Sequence, residues 1–215
     1  MNEAVTEHDP FVTLSSQTAY QNGWIKVEHQ EVLRPDGSPG IYGIVHFVHR
    51  AVGVLPIDKD GCVWLVGQYR RPLKAWSWEM PEGGVTYEED LEAGARRELH
   101  EETGLIAQTL VKILEMDLSN SVSDEVATCY IAYGLSKGQA VPECTEVLKT
   151  KRVHFLDLLA EVALGQIRDA MTVATIYRAY YLATTHQLPS ELESKMLSHA
   201  LLGRSDFNPD RIGEE

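Results

Sequence analysis

The sequence predicts an α+β or mixed α/β fold rather than a parallel doubly wound sheet. Three observations support this prediction: residues 24–80 are dominated by strand-like segments, residues 88–103 have the periodicity of a helix, and the chain becomes largely helical after about residue 156. The chain has 215 residues, of which 44% are hydrophobic and 24% charged. This composition is typical of globular proteins, and the length allows one sizeable core or two small ones.

The N-terminal part of the chain is predicted to form an antiparallel β subdomain. Residues 1–16 lack sustained periodicity and are predicted to be a flexible leader. Polar and apolar side chains alternate over residues 24–30, residues 40–50 have strand composition, and a Pro-Asp-Gly turn signal lies between the two segments. We therefore predict a hairpin here and assign residues 17–50 to the β subdomain.

The main domain is predicted to span residues 51–205, with residues 206–215 as a C-terminal tail. Its predicted strands are residues 52–57, 63–69, 76–80, 107–117, 127–135 and 153–155, the first two forming a hairpin through an Asp-Lys-Asp-Gly turn. Its predicted helices are residues 88–103, 156–164, 170–185 and 190–202. For the first helix, apolar residues recur at four-residue steps and Gly104 supplies the stop.

Charge and composition exclude several classes of function. The net charge is -13 and no basic run is present, so nucleic acid is not expected as a partner. No apolar window is long enough for a membrane span, and the acidic start lacks the pattern of a signal peptide, so a cytoplasmic protein with no membrane partner is expected. The three cysteines have no spacing typical of a disulfide framework or a thiolate zinc site.

Three carboxylates share one face of the first predicted helix. Glu98, Glu101 and Glu102 stand at i, i+3 and i+4, near the C-terminal end of the helix, where like charges and the helix dipole both disfavour anions. A hard divalent cation reverses these penalties because it prefers carboxylate oxygens. The cluster therefore predicts a metal site, and the alternative is a solvated acidic face.

These glutamates belong to a longer pattern. Gly83, five residues, Glu89, seven residues and then Arg97-Glu98-Leu99-His100-Glu101-Glu102-Thr103-Gly104-Leu105 resemble the Nudix box at every fixed position. The resemblance implies an α/β/α sandwich, the Nudix fold, that hydrolyses a nucleoside diphosphate linked to another moiety with Mg²⁺ or Mn²⁺. It further implies that Glu98 and Glu102 are the chief metal ligands and Glu101 a third. Arg97, with Glu89, then serves the catalytic centre mainly as a positioning residue.

Residues outside the box indicate which branch of the family the sequence resembles. Gln68-Tyr69-Arg70 and the run Trp78–Gly84 look like the ADP-ribose and nucleotide-sugar pyrophosphatase branch, whose N-terminal strand subdomain serves dimerisation. The branch implies a homodimer that cleaves ADP-ribose or a similar small nucleotide sugar to a nucleoside monophosphate and a sugar phosphate. GDP-mannose, another nucleotide sugar, a dinucleotide, or ligand binding by a non-catalytic regulator are the alternatives. Glu82, whose carbonyl is a further candidate metal ligand, departs from the Ala common in this branch, and its carboxylate either strengthens metal binding or points into solvent.

The remaining site residues follow from the same resemblance and each has an alternative. Glu125, in the polar loop 119–125, is the candidate general base or water-orienting group, or else a solvated acid beside a strand. Arg70 is the candidate phosphate clamp in a substrate site that also contains Glu79, or else it pairs with Glu79. Trp24 and Tyr42 are candidates to stack on the base across the dimer, or else pack in its interface.

Overall fold

The computed structural model describes residues 8–138 and 148–198. The chain divides into two compact units, Met1–Arg50 with Met116–Val126, and Ala51–Glu115 with Ala127–Glu215. Cys144, the end of the predicted helix 190–202 and the predicted tail lie outside the described residues. Within the described part of the chain, no helix has both the length and the apolar character that crossing a membrane requires.

The first unit contains a three-stranded antiparallel sheet in the order β1-β2-β3. Its strands are β1 (Val12–Gln21), β2 (Ile25–Leu33) and β3 (Pro39–Phe47). β2 and β3 form the predicted hairpin, and Gly37 adopts φ 78° in the turn between them. β1 begins inside the segment 1–16 that the sequence predicts as a flexible leader, so that prediction is wrong for its last residues. In the part of the chain that the structure describes, the strand is exposed throughout and pairs with β2 alone, which explains its weak sequence signal.

The second unit is built on two sheets. One has the order β7-β4-β9-β8 and the other the order β10-β5-β6. The strands are β4 (Arg50–Pro56), β5 (Cys62–Arg70), β6 (Ala75–Glu79), β7 (Glu82–Val85), β8 (Leu105–Leu118), β9 (Glu125–Lys137) and β10 (Lys149–His154). The helices are α1 (Leu91–Thr103), α2 (Phe155–Ala163), α3 (Ala170–Thr184) and α4 (Ser190–Leu197). This mixed α+β architecture with an antiparallel N-terminal sheet confirms the predicted fold class.

The predicted hairpin of residues 52–57 and 63–69 is wrong. β4 and β5 follow each other in the chain but lie in different sheets, with only a single bridge between Ile57 and Val63. β4 pairs in parallel with β9, and its residues Val52, Val54 and Leu55 are fully buried. A strand that is covered on both faces has a continuous apolar sequence. One strand of a hairpin can have the same local pattern, so the sequence of this segment does not show which strand it pairs with.

The helix α1 has clear local determinants at both ends. The carboxylate of Asp90 accepts a hydrogen bond from the Ala93 N–H at 2.9 Å, which caps the first turn. Gly104 ends the helix with φ 70°, and its N–H donates to the His100 carbonyl. Ala95 and Leu99 anchor the inner face of the helix in the core with Val52, Val54 and Val85 of the neighbouring strands. Glu102 is buried on the same side of the helix, whereas Glu98 and Glu101 are more exposed.

Candidate active site

The three glutamates of the predicted metal site lie on α1 and differ in exposure. Glu102 is buried, whereas the side chains of Glu98 and Glu101 are 13% and 28% exposed. Arg97 donates hydrogen bonds to Glu98 at 2.8 Å and to Glu101 at 3.0 Å, and it also bonds both carboxylate oxygens of Glu89. Its guanidinium therefore fixes three carboxylates and offsets part of their mutual repulsion. These contacts fit the positioning role predicted for Arg97.

The loop that enters β7 brings backbone against two of these glutamates. Oε2 of Glu102 accepts a hydrogen bond from the Glu82 N–H at 3.1 Å. The carboxylate of Glu98 lies where a side chain on Gly83 would stand, since a Cβ there would be 2.2 Å from the Glu98 Cδ. Gly83 is needed because only a residue without a Cβ allows this approach. The turn at Glu82–Gly83 and the helix thus form one side of a carboxylate-lined site.

A second group of carboxylates meets beside this turn. Oxygens of Glu79 at the end of β6, Glu82 at the start of β7 and Asp169 before α3 lie within 4.8 Å of one another. Sequence analysis missed Asp169, whose only local signal is that of a helix N-cap. Its carboxylate accepts the Thr172 N–H at 2.7 Å, as a cap does. Nothing in that local pattern indicates that a cap lies next to Glu79 and Glu82.

Arg70 is the cation that this second group shares. It donates to both oxygens of Glu79, at 3.0 Å from Nε and 2.6 Å from Nη2, and Nη2 also reaches Glu82 at 2.6 Å. This is the pairing with Glu79 that the sequence leaves open as an alternative. Because the fork of Arg70 is already held by two carboxylates, it is fixed in orientation; its contact with phosphate stays a prediction.

The surroundings of Glu82 disfavour the charged form of its carboxyl group. Burial raises the pKa of its carboxyl group well above the usual value, and the nearby charges of Asp169 and Glu79 raise it further, against the opposing effect of Arg70. Among the described residues, Oε2 of Glu82 is buried without a hydrogen-bond partner. An unsatisfied buried carboxylate oxygen is costly unless a proton or a cation reaches it.

The donors gathered here fit a hard divalent cation. They are carboxylate oxygens, the ligands that Mg²⁺ and Mn²⁺ prefer, and they exceed in charge the two arginines that contact them. The Oε2 of Glu82, which has no hydrogen-bond partner among the residues that the structure describes, is an oxygen atom to which such an ion would bind. The structure therefore contains a carboxylate cluster suited to a divalent metal.

The other predicted site residues belong to the first unit. Glu125 starts β9, and burial followed by the charge of Asp124 raises the pKa of its carboxyl group. Trp24 is 72% exposed, so its ring is available to a ligand or another subunit. The hydroxyl of Tyr42 donates to the Ser121 carbonyl at 2.9 Å. The catalytic and binding roles of these residues stay predictions.

The sequence matches two domain families. The NUDIX domain matches residues 48–172, and the nucleoside diphosphate sugar hydrolase N-terminal domain matches residues 12–45. Among curated proteins, the ADP-ribose pyrophosphatase of Mycobacterium tuberculosis is 28% identical over 90% of this chain and 94% of its own length. The ADP-ribose pyrophosphatase of Bacillus subtilis is 29% identical over 83% of this chain and 96% of its own length.

A solved structure has a similar fold. A crystal structure described as an ADP compounds hydrolase superposes with a TM-score of 0.72 at 20% sequence identity, covering 83% of this chain and 97% of the other. At this identity the likeness concerns the fold alone. The NUDIX match, in contrast, includes α1, its glutamates and the Glu82–Gly83 turn. The chain thus belongs to the Nudix domain family, with the N-terminal domain of the nucleoside diphosphate sugar hydrolases.

Proposed function

We propose that the protein hydrolyses the pyrophosphate bond of a nucleoside diphosphate sugar with the help of a divalent metal, ADP-ribose being the leading substrate. The observation that supports this most directly is the complete set of box carboxylates, held by Arg97 and by the backbone of the Glu82–Gly83 turn. Relatives of nearly the full length are ADP-ribose pyrophosphatases. The metal is Mg²⁺ or Mn²⁺, with Glu98, Glu101, Glu102 and Glu82 as its proposed ligands.

In the proposed reaction, water attacks one phosphorus and the bond from that phosphorus to the bridging oxygen breaks. A bound divalent metal supplies charge neutralisation for the phosphate oxygens. Arg97 keeps Glu98 and Glu101 in place, and Glu125 takes the proton of the attacking water. The products are a nucleoside monophosphate and a sugar phosphate. Arg70 and Glu79 line the proposed substrate site.

The proposed active form is a homodimer. Val12, Leu14, Trp24 and Ile41 of the first unit are all more than half exposed, which is unusual for a three-stranded sheet in water. A second copy would cover this apolar surface. Trp24 and Tyr42 are then proposed to contact the base, although the hydroxyl of Tyr42 is already used by Ser121.

A substrate panel tests the proposed activity. ADP-ribose, GDP-mannose, other nucleotide sugars and dinucleotides are incubated with the protein and Mg²⁺, and the products are identified by mass. We expect AMP and ribose phosphate from ADP-ribose, and Glu98→Gln should lower kcat by orders of magnitude. Glu88→Gln removes the same charge from an exposed position outside the cluster and is the matched control. No turnover of any of these compounds would favour a non-catalytic regulator.

The role of Glu125 needs a separate measurement. Loss of a general base typically lowers the rate by about 10²- to 10⁴-fold, so Glu125→Gln should depress kcat to that extent with little change in KM. Metal affinity should also change little. A decrease of less than about fivefold would move the role to another group, such as Asp124 or Glu101.

A further inference from the structure

His46 on β3 lies between two carboxylates of the first unit. Its Nδ1 is 2.6 Å from Oδ2 of Asp124, and its Nε2 is 3.3 Å from Oε2 of Glu28. The imidazole is about one-third exposed, and Glu28 is the less exposed of its two partners. Lys26, opposite His46 on β2, is the other charged group at this position, 3.6 Å from Glu28.

Both partners of His46 are ionised acceptors near neutral pH. Hydrogen bonds from Gln30 and Ser16 lower the pKa of Glu28 to about 2. Burial alone would raise the pKa of Asp124, but the hydrogen bonds with His46 and with the Phe47 N–H together outweigh burial and lower it. An ionised carboxylate accepts hydrogen bonds and does not donate them. The ring therefore bonds both carboxylates only when each of its nitrogens carries a hydrogen.

Asp124 connects His46 to the loop 119–125. Its Oδ1 accepts the Phe47 N–H at 3.0 Å, and its own N–H donates to the Val45 carbonyl at 3.3 Å. The Val45 N–H donates to the Val122 carbonyl at 2.8 Å, which fastens the loop to β3 at a second point. The residue after Asp124 is Glu125. Any movement of Asp124 is therefore passed directly to the backbone that carries the Glu125 carboxylate.

We propose that His46, held by Glu28 of β2, is a positioning residue for Glu125, which it keeps in place by binding the neighbouring Asp124. This inference rests on the proposed function, in which Glu125 handles the proton of the attacking water. Errors of about 1 Å in the position of a catalytic group cost on the order of 10²-fold in rate. His46→Ala should therefore lower kcat by about 10- to 100-fold and leave KM and metal affinity nearly unchanged.

The experiment combines single and double variants with ADP-ribose and Mg²⁺. His46→Ala should cost activity in the wild type but almost none in the Glu125→Gln background, because the group that it positions is then absent. His46→Gln keeps one hydrogen-bond donor for Asp124 and should lose less activity than His46→Ala. This second variant keeps the inference testable if the alanine variant does not fold. His29→Ala, on the neighbouring strand and opposite Gly43, is the matched control and should stay active.

The split between kcat and KM, together with rescue by His46→Gln, separates positioning from a merely structural contribution. Loss of positioning should lower kcat at nearly unchanged KM, and His46→Gln should keep more activity than His46→Ala. A loss in His46→Gln as large as in His46→Ala, or an equal cost of His46→Ala in both backgrounds, would overturn the inference. If Glu125→Gln itself remained active, the proposed role of Glu125 would be the part that failed.

Discussion

Replacing Gly83 with alanine should damage catalysis far more than folding. A Cβ at this position would lie 2.2 Å from Cδ of Glu98 and 2.4 and 2.5 Å from its two oxygens. Carbon atoms pack at about 3.5 to 4.0 Å, so the carboxylate must retreat by at least about 1 Å. A displacement of that size costs on the order of 10²-fold in rate.

The effect on stability should be small by comparison. The backbone of Gly83 lies outside the positive-φ region, so alanine fits it without strain. Substituting Gly by Ala at such a position gains about 0.4 to 1 kcal/mol from the unfolded chain, which offsets part of the steric cost. The Glu98 side chain can also move toward solvent, because its carboxylate is partly exposed.

Steady-state hydrolysis of ADP-ribose and a Mg²⁺ titration measure this prediction, with thermal melting to report folding. We expect a kcat lower by about 10²-fold, weaker metal binding and a nearly unchanged Tm. Gly43→Ala is the control, because nothing lies within 4 Å of a Cβ there. Full activity of Gly83→Ala would refute the argument that the turn sets the position of Glu98. A large decrease in Tm would instead show that Gly83 is needed for folding.

Three further predictions follow from the charges and surfaces of the molecule. The pKa of Glu82 is raised in the folded chain, so the metal-free protein should lose stability as pH rises above 4.5, the ordinary pKa of a glutamate. Urea unfolding at several pH values measures this loss, and Glu82→Gln should make the free energy of unfolding less dependent on pH. Arg97→Lys should weaken Mg²⁺ binding, measured by calorimetry, because a point charge cannot reproduce the contacts to Glu98 and Glu101; equal affinity would contradict the positioning role. Light scattering should give twice 24.1 kDa, and Trp24→Glu should shift the mass toward one chain.

Local patterns predicted much of the helix α1 correctly. Apolar residues at helical spacing and Gly104 indicate α1, and the structure shows Asp90 and Gly104 as its caps. The i, i+3, i+4 spacing places Glu98, Glu101 and Glu102 on one face whatever the helix packs against. Caps and helical periodicity are properties of neighbouring residues, which explains why the sequence alone was sufficient for them.

Sheet membership and the second carboxylate group depended on tertiary structure. Asp169 reaches Glu79 and Glu82 from a separate element, and its local pattern as an N-cap would be the same without them. The sequence left Arg70 with two possible partners, because a cation on a strand pairs with whichever carboxylate the sheet brings near it. β4 likewise needed its parallel neighbour β9 rather than the adjacent β5. Contacts between distant segments depend on which surfaces are buried together, and the periodicity of a local segment does not predict them.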